Sequence, residues 1–184
     1  WSDTNPGEMY YYDRNKGKIA FIAKSRPWID KNEMSPMLPI SFKARDGLTV
    51  NGYLTVPKNS DGKNLPLIIN PHGGPASRDV WGYNPEHQFF ASRGYAVLSM
   101  NFRGSTGYGR SHVKMANGQW GRKMQDDVTD SVNWAVDQGI ADKDNVCIYG
   151  ASYGGYAVMA GITKTPKMYK CAVNYVGVTD MGLL

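Results

Sequence analysis

Gly150-Ala151-Ser152-Tyr153-Gly154-Gly155 sets a serine among small residues, where an apolar run (146–150) gives way to a segment patterned as a helix (153–163). G-x-S-x-G alone is a loose pattern, but between a buried strand and a helix it has the context of a nucleophile elbow. A strand-to-helix turn this sharp lifts Ser152 above the sheet edge and leaves no room for side chains at 150 or 154. Such a serine could attack an acyl carbon while the first helix amides stabilise the developing negative charge. Asn70-Pro71-His72-Gly73-Gly74-Pro75 follows a second apolar run, 65–70. In a fold with a nucleophile elbow, a glycine loop at this place donates one backbone N–H to an oxyanion hole. The residue after the nucleophile, here Tyr153, donates the other. A tight βα turn and a Gly-Pro loop without chemistry are the bland alternatives. The occurrence of both motifs in this order weighs against them.

The elements that must position these residues follow from the hydrophobic pattern. Continuous apolar runs at 65–70, 95–101, 146–150 and 171–178 predict strands covered on both faces. Residues 86–92 predict a short helix stopped by Gly94. Residues 124–138 predict an amphipathic helix, with apolar positions 124, 128, 132, 135 and 136, Asp126 and Asp127 near its start, and Gly139 at its end. Strands alternating with helices predict an α/β domain with a mostly parallel sheet. Before residue 65, two hairpins are expected: 10–12 with 19–23 around Asn15-Lys16-Gly17, and 40–45 with 50–56 around Asp46-Gly47. Proline-punctuated residues 26–39 separate them, and no repeat is visible.

The 184 residues are 41% hydrophobic and 20% charged, with 5 Trp, 12 Tyr and 5 Phe, which argues for a folded chain over a disordered one. The apolar runs are too short for membrane-spanning helices. The net charge of +5 is spread along the chain with acidic residues interleaved, and its longest basic cluster is Arg122-Lys123. That is a solvated mixed surface, so no nucleic-acid or membrane partner is expected. Cys147 and Cys171 lie in apolar runs and read as small buried core residues, too few for a disulfide framework or a metal site. With no leader pattern at the start, they are compatible with a reducing compartment such as the cytoplasm. No residues have metal-ligand spacing. Gly104-Ser105-Thr106-Gly107 lacks the Gly-Lys-Ser/Thr of a phosphate loop, so no cofactor is expected.

Taken together, Asn70–Pro75, Asn101-Phe102-Arg103-Gly104-Ser105-Thr106-Gly107-Tyr108-Gly109, Trp120 followed by Asp126-Asp127, and Gly150–Tyr156 resemble the prolyl oligopeptidase family of serine peptidases. The match is to its acylaminoacyl-peptidase and dipeptidyl-peptidase-like branch, over residues 40 to 184. Residues 10–23 and Arg26-Pro27-Trp28 are similar to the end of the β-propeller that precedes the catalytic domain in that family. The resemblance implies an incomplete α/β-hydrolase fold with an N-terminal hairpin (35–184), preceded by a propeller-like segment and linker (1–34). It implies Ser152 as nucleophile and the Gly74 and Tyr153 amides as oxyanion hole, with Gly73 shaping the loop and His72 ordering it by hydrogen bonding. The implied substrates are short peptides, with carboxylesterase activity or a noncatalytic fragment as alternatives.

One departure matters. Hydrolases of this fold order their triad Ser, then Asp or Glu, then His. After Ser152 the acidic residue is Asp180, which precedes the place of the family's triad acid, and His72, His87 and His112 all come before the serine. His87 reads as structural or superficial and His112 as exposed. The chain is therefore expected to be part of a larger enzyme, cut within the propeller and within the hydrolase domain, and inactive by itself. An uncovered sheet edge would favour association, including a homo-oligomer.

Overall fold

The computed structural model describes residues 2–183. Two antiparallel strands, β1 (Glu8–Asp13) and β2 (Lys18–Lys24), form a separate hairpin whose apolar residues are largely exposed. The remaining six strands make one mixed sheet of order β3-β4-β6-β5-β7-β8. β3 (Met37–Lys43) and β4 (Thr49–Thr55) pair as the second expected hairpin, and β4 pairs antiparallel with β6 (Ala96–Asn101). From β6 inward, β5 (Leu65–Ile69), β7 (Ala141–Ala151) and β8 (Cys171–Tyr175) run parallel to one another.

The central strands are apolar because they are covered on both faces: every residue of β6 is buried, as are Leu67, Ile68 and Ile69 of β5. Helix α1 (Pro85–Ala91) starts at Asn84, whose side chain accepts from the Glu86 and His87 amides. Helix α3 (Lys123–Asp137) presents Met124, Val128, Val132 and Ala135 to the core, the predicted amphipathic face. Helix α4 (Tyr153–Lys164) packs against β7 and β8. Register decides what this sheet positions. Ile69 sits opposite Leu98 on one side and Ile148 on the other, so β5, β6 and β7 end at one edge. The loops beginning at Asn70 and Phe102 and the turn at Ser152 therefore converge there, at the carboxyl ends of parallel strands where open α/β sheets build their sites.

Five expectations change. β7 begins at Ala141 instead of 146, since Leu65 reaches across to pair with Ala141, and β8 ends at Tyr175 instead of 178. A short helix, α2 (Arg110–Lys114), occupies residues that carried no helical pattern. Cys147 and Cys171 are not free core residues: they face each other in the β7–β8 register, with Cα atoms 4.7 Å apart, and are joined by a disulfide. Cys171 is exposed. His112 is buried, because its Nε2–H donates to the Phe102 carbonyl at 3.3 Å and needs no water.

Candidate active site

Ser152 stands between the last residue of β7 and the first of α4 with φ +56° and ψ −120°, a left-handed conformation that non-glycine residues rarely adopt. Backbone hydrogen bonds hold it there. The Ser152 N–H donates to the Tyr175 carbonyl of β8 at 3.1 Å, and its own carbonyl accepts from Tyr156 at 3.0 Å and Val178 at 3.4 Å. The small neighbours have steric reasons. A Cβ on Gly150 would lie 2.5 Å from the Gly154 carbonyl oxygen, and one on Gly154 would collide with the Pro71 carbonyl oxygen. The Ser152 side chain makes no capping hydrogen bond to α4, which leaves its hydroxyl available.

The Asn70–Pro75 loop leans directly on this turn. A Cβ on Gly73 would meet the Ala151 carbonyl oxygen at 3.2 Å and Ser152 Cβ at 3.5 Å, so this position keeps loop and elbow in contact only without a side chain. Gly74 has φ +121°, and a Cβ there would lie 2.8 Å from the Ala76 nitrogen. Among the described residues no backbone hydrogen bond engages the Gly74 N–H. The Tyr153 N–H is the first of α4, one of the donors a helix leaves unpaired. The loop touches Ser152 through Gly73, and the Tyr153 amide follows Ser152 directly in the chain, so backbone of the kind that can stabilise an oxyanion lies close to this serine.

Behind the loop lies a packed aromatic layer. The His72 ring stacks on Phe102 at 4.3 Å and 16°, Phe102 meets Tyr153 at 5.4 Å, and Tyr153 meets Trp120 at 4.6 Å and Tyr156 at 5.7 Å. Burial pushes the Tyr153 phenol well above its usual range, so it packs as a neutral ring. Arg103 follows Phe102 and is buried, yet fully paired. It donates to Asp127 through Nε at 2.8 Å and Nη2 at 2.7 Å, and to Asp46 through Nη1 at 2.8 Å and Nη2 at 3.0 Å. Its raised pKa comes first from Asp127 and then Asp46, whereas burial outweighs the guanidinium at Asp127 and pushes that carboxyl up. We take the pair as ionised, because the fork geometry gives both charges their partners.

None of the three histidines hydrogen-bonds Ser152; each is engaged elsewhere. His72 Nδ1 lies 2.7 Å from the Gly73 carbonyl and its Nε2 lies 2.8 Å from Ser105 Oγ. His87 is buried, contacts Asn70 Oδ1 through Nε2 at 3.3 Å, and is pushed by burial down to about 4. His112 donates to Phe102 as described. Asp180 accepts from the Gly182 N–H at 2.8 Å and lies beyond β8. A cavity of about 280 Å³ adjoins the turn at Ser152 and the Asn70–Pro75 loop, with Gly73, Asp79, Glu86, Ala151 and Tyr175 on its wall. Among the described residues no group of three His, Cys, Asp or Glu side chains could hold a metal ion, and no helix is long and apolar enough to cross a membrane. Sequence reasoning missed Ser105 and the Arg103–Asp127–Asp46 pairing. Asp127 stood out as an acid near a helix start and, like Arg103, within segments that carry the family resemblance, but nothing in the pattern paired the two.

The similarity to known proteins runs along these same segments. The model of the prolyl oligopeptidase family matches residues 81–183, from α1 through the elbow to the segment beyond β8. Dipeptidyl aminopeptidase BIII of Pseudoxanthomonas mexicana is 43% identical over 186 residues, covering 97% of this chain and 27% of that protein. Dipeptidyl peptidase family member 6 of Caenorhabditis elegans is 35% identical over 201 residues, covering 98% of this chain and 27% of that protein. Among solved structures, a Mycobacterium tuberculosis puromycin-hydrolyzing peptidase superposes with a TM-score of 0.87 at 29% identity, covering 99% of this chain and 28% of that one. The chain thus spans about a quarter of the length of these relatives. With the family model matching residues 81–183 and a relative 43% identical over 97% of its length, the chain belongs to the prolyl oligopeptidase family of serine peptidases.

Proposed function

We propose that the protein carrying this chain hydrolyses short peptides through an acyl-enzyme on Ser152. The observation that carries the reading is the Ser152 backbone, held at φ +56° between β7 and α4 with its hydroxyl unused for capping. Ser152 Oγ attacks the scissile carbonyl, its proton passes to a general base, and the carbonyl oxygen becomes an oxyanion facing the Gly74 and Tyr153 amides. Collapse breaks the C–N bond and the leaving amine takes the proton. Water then attacks the acyl-enzyme by the same route and restores the serine.

His72, His87 and His112 are all engaged away from Ser152, so the base and its acid partner are assigned to sequence beyond residue 184, in the family's order. Residues 35–184 are accordingly the first part of a hydrolase domain and residues 1–34 the end of a propeller-like segment. The relatives' names suggest dipeptides released from a peptide N-terminus as the substrate class. The experiment uses the complete gene product, with dipeptidyl-, acylaminoacyl- and single-aminoacyl-nitroanilides beside short acyl esters. Nitroanilide hydrolysis lost in Ser152→Ala is the expected result. Turnover of esters alone would make the protein a carboxylesterase.

A further inference from the structure

We infer that Ser105, in the loop after β6, is a positioning residue that acts through His72 to aim the Gly74 N–H at the oxyanion. The inference rests on the function proposed above and adds a residue and a route to it.

The Gly73 carbonyl and the Gly74 N–H belong to one planar peptide unit and point in opposite directions. Whatever holds the carbonyl therefore aims the amide. Here the holder is His72 Nδ1, 2.7 Å from the Gly73 oxygen. A carbonyl only accepts, so Nδ1 carries the proton of this bond. Burial lowers the His72 pKa, so the ring is neutral and its Nε2 can only accept. The group facing Nε2 is the Ser105 hydroxyl at 2.8 Å, on a residue with no exposed surface.

Ser105 Oγ also lies 2.7 Å from the Phe102 carbonyl, so one hydroxyl proton has two acceptors. The Phe102 carbonyl is already supplied: it accepts from the Ser105 N–H at 3.0 Å and from His112 Nε2 at 3.3 Å. His72 Nε2 has Ser105 as its hydrogen-bond partner, whereas the Phe102 carbonyl keeps two of its three donors without the hydroxyl. The hydroxyl proton is shared between the Phe102 oxygen at 2.7 Å and His72 Nε2 at 2.8 Å, and its loss is felt first at His72. With Phe102 stacked against one face of the imidazole, the ring keeps one plane, one flip state and one tautomer, the one that donates to Gly73. Removing the hydroxyl takes away the hydrogen-bond partner of Nε2 and releases the ring orientation that fixes the peptide.

The test is a double-mutant cycle in the complete gene product, with kcat and KM measured on a peptide nitroanilide for Ser105→Ala, His72→Gln and the pair. Loss of one neutral hydrogen bond that acts only on the oxyanion lowers kcat about three- to tenfold with KM within about twofold. His72→Gln is expected to lose more, and the double variant to be no slower than His72→Gln alone. Multiplying effects, or a kcat unchanged in Ser105→Ala, would overturn the inference. Thermal unfolding of each variant checks folding. Should the alanine variant not fold, Ser105→Cys keeps the volume with a weaker donor, and its expected kcat lies below wild type at unchanged KM. Wild-type kcat in that variant would equally refute the idea. Ser152→Ala run in parallel separates the two claims: full activity there sinks the proposed function, whereas an inactive Ser152→Ala beside a fully active Ser105→Ala sinks only the role of Ser105.

Discussion

Replacing Gly154 by alanine separates two effects that ordinarily point the same way. Gly154 is the second residue of α4, and alanine in a helix is usually about 1 kcal/mol more favourable than glycine. Its backbone has ordinary helical φ, so no conformational strain opposes the change. The added Cβ, however, would collide with the Pro71 carbonyl oxygen and lie 3.3 Å from the Pro71 carbonyl carbon and 3.4 Å from the His72 oxygen. All three atoms are backbone, so no side chain can swing aside. Overpacking of this kind costs about 1–3 kcal/mol, which leaves a net destabilisation of roughly 0–2 kcal/mol after the helical gain. The catalytic loss is larger, because the segment that must yield leads directly into the oxyanion loop. A displacement of about 1 Å in a reacting geometry costs on the order of 10²-fold. The control is Gly161→Ala, whose new Cβ meets only the side chains of Tyr169 at 3.1 Å, Gln125 at 3.3 Å and Ile148 at 3.5 Å. The assay is kcat on a peptide nitroanilide beside the thermal midpoint, in the complete gene product. Gly154→Ala with normal turnover and a raised midpoint would refute the steric reasoning, as would an equal loss in Gly161→Ala.

Two further outcomes follow from the same structure. Gly74→Val puts a branched side chain at φ +121° against the Ala76 and Ser77 backbone, and turnover should fall about 10²–10³-fold with expression retained; normal turnover with lower stability would make the loop purely structural. Asp79→Asn tests a buried carboxyl whose Oδ2 has no partner and whose pKa burial raises to about 7. The folded state then holds a proton that the unfolded chain releases near pH 4, so stability falls as pH rises from about 4 to 7. Removing the charge should raise stability by up to about 4 kcal/mol at pH 8 and by about 2 kcal/mol at pH 5. Equal gains at both pH values, or a loss at pH 8, would contradict the assignment.

The site was legible where chemistry depends on local sequence. The strand-to-helix turn at Ser152 could be read because small residues stand at fixed offsets between a buried strand and a helix, and the close approach of the Asn70–Pro75 loop because Gly73 leaves its backbone uncovered. The order of strands and helices was legible from apolar runs and the 124–135 stripe. What stayed hidden depends on pairing at a distance. Cys147 and Cys171 each look like core residues within their own runs, and only the parallel register of β7 and β8 sets them face to face. Arg103 reaches Asp127 and Asp46, 24 and 57 positions away, and nothing in a linear pattern links those three. Polar residues in and just after a glycine-rich loop suggest solvent, yet Ser105 and, in α2, His112 are buried with hydrogen bonds to the Phe102 carbonyl.

The central claim is that Ser152 is an activated nucleophile, and covalent labelling tests it most directly. The complete gene product is treated with a fluorophosphonate, digested, and the modified peptide identified by mass spectrometry, with Ser152→Ala and heat-unfolded protein as controls. Activation by a base and the two amides predicts one adduct per chain, on Ser152, forming in step with the loss of peptide hydrolysis and absent from both controls. An adduct on another residue at equal stoichiometry, or hydrolysis that survives complete modification of Ser152, would contradict the account.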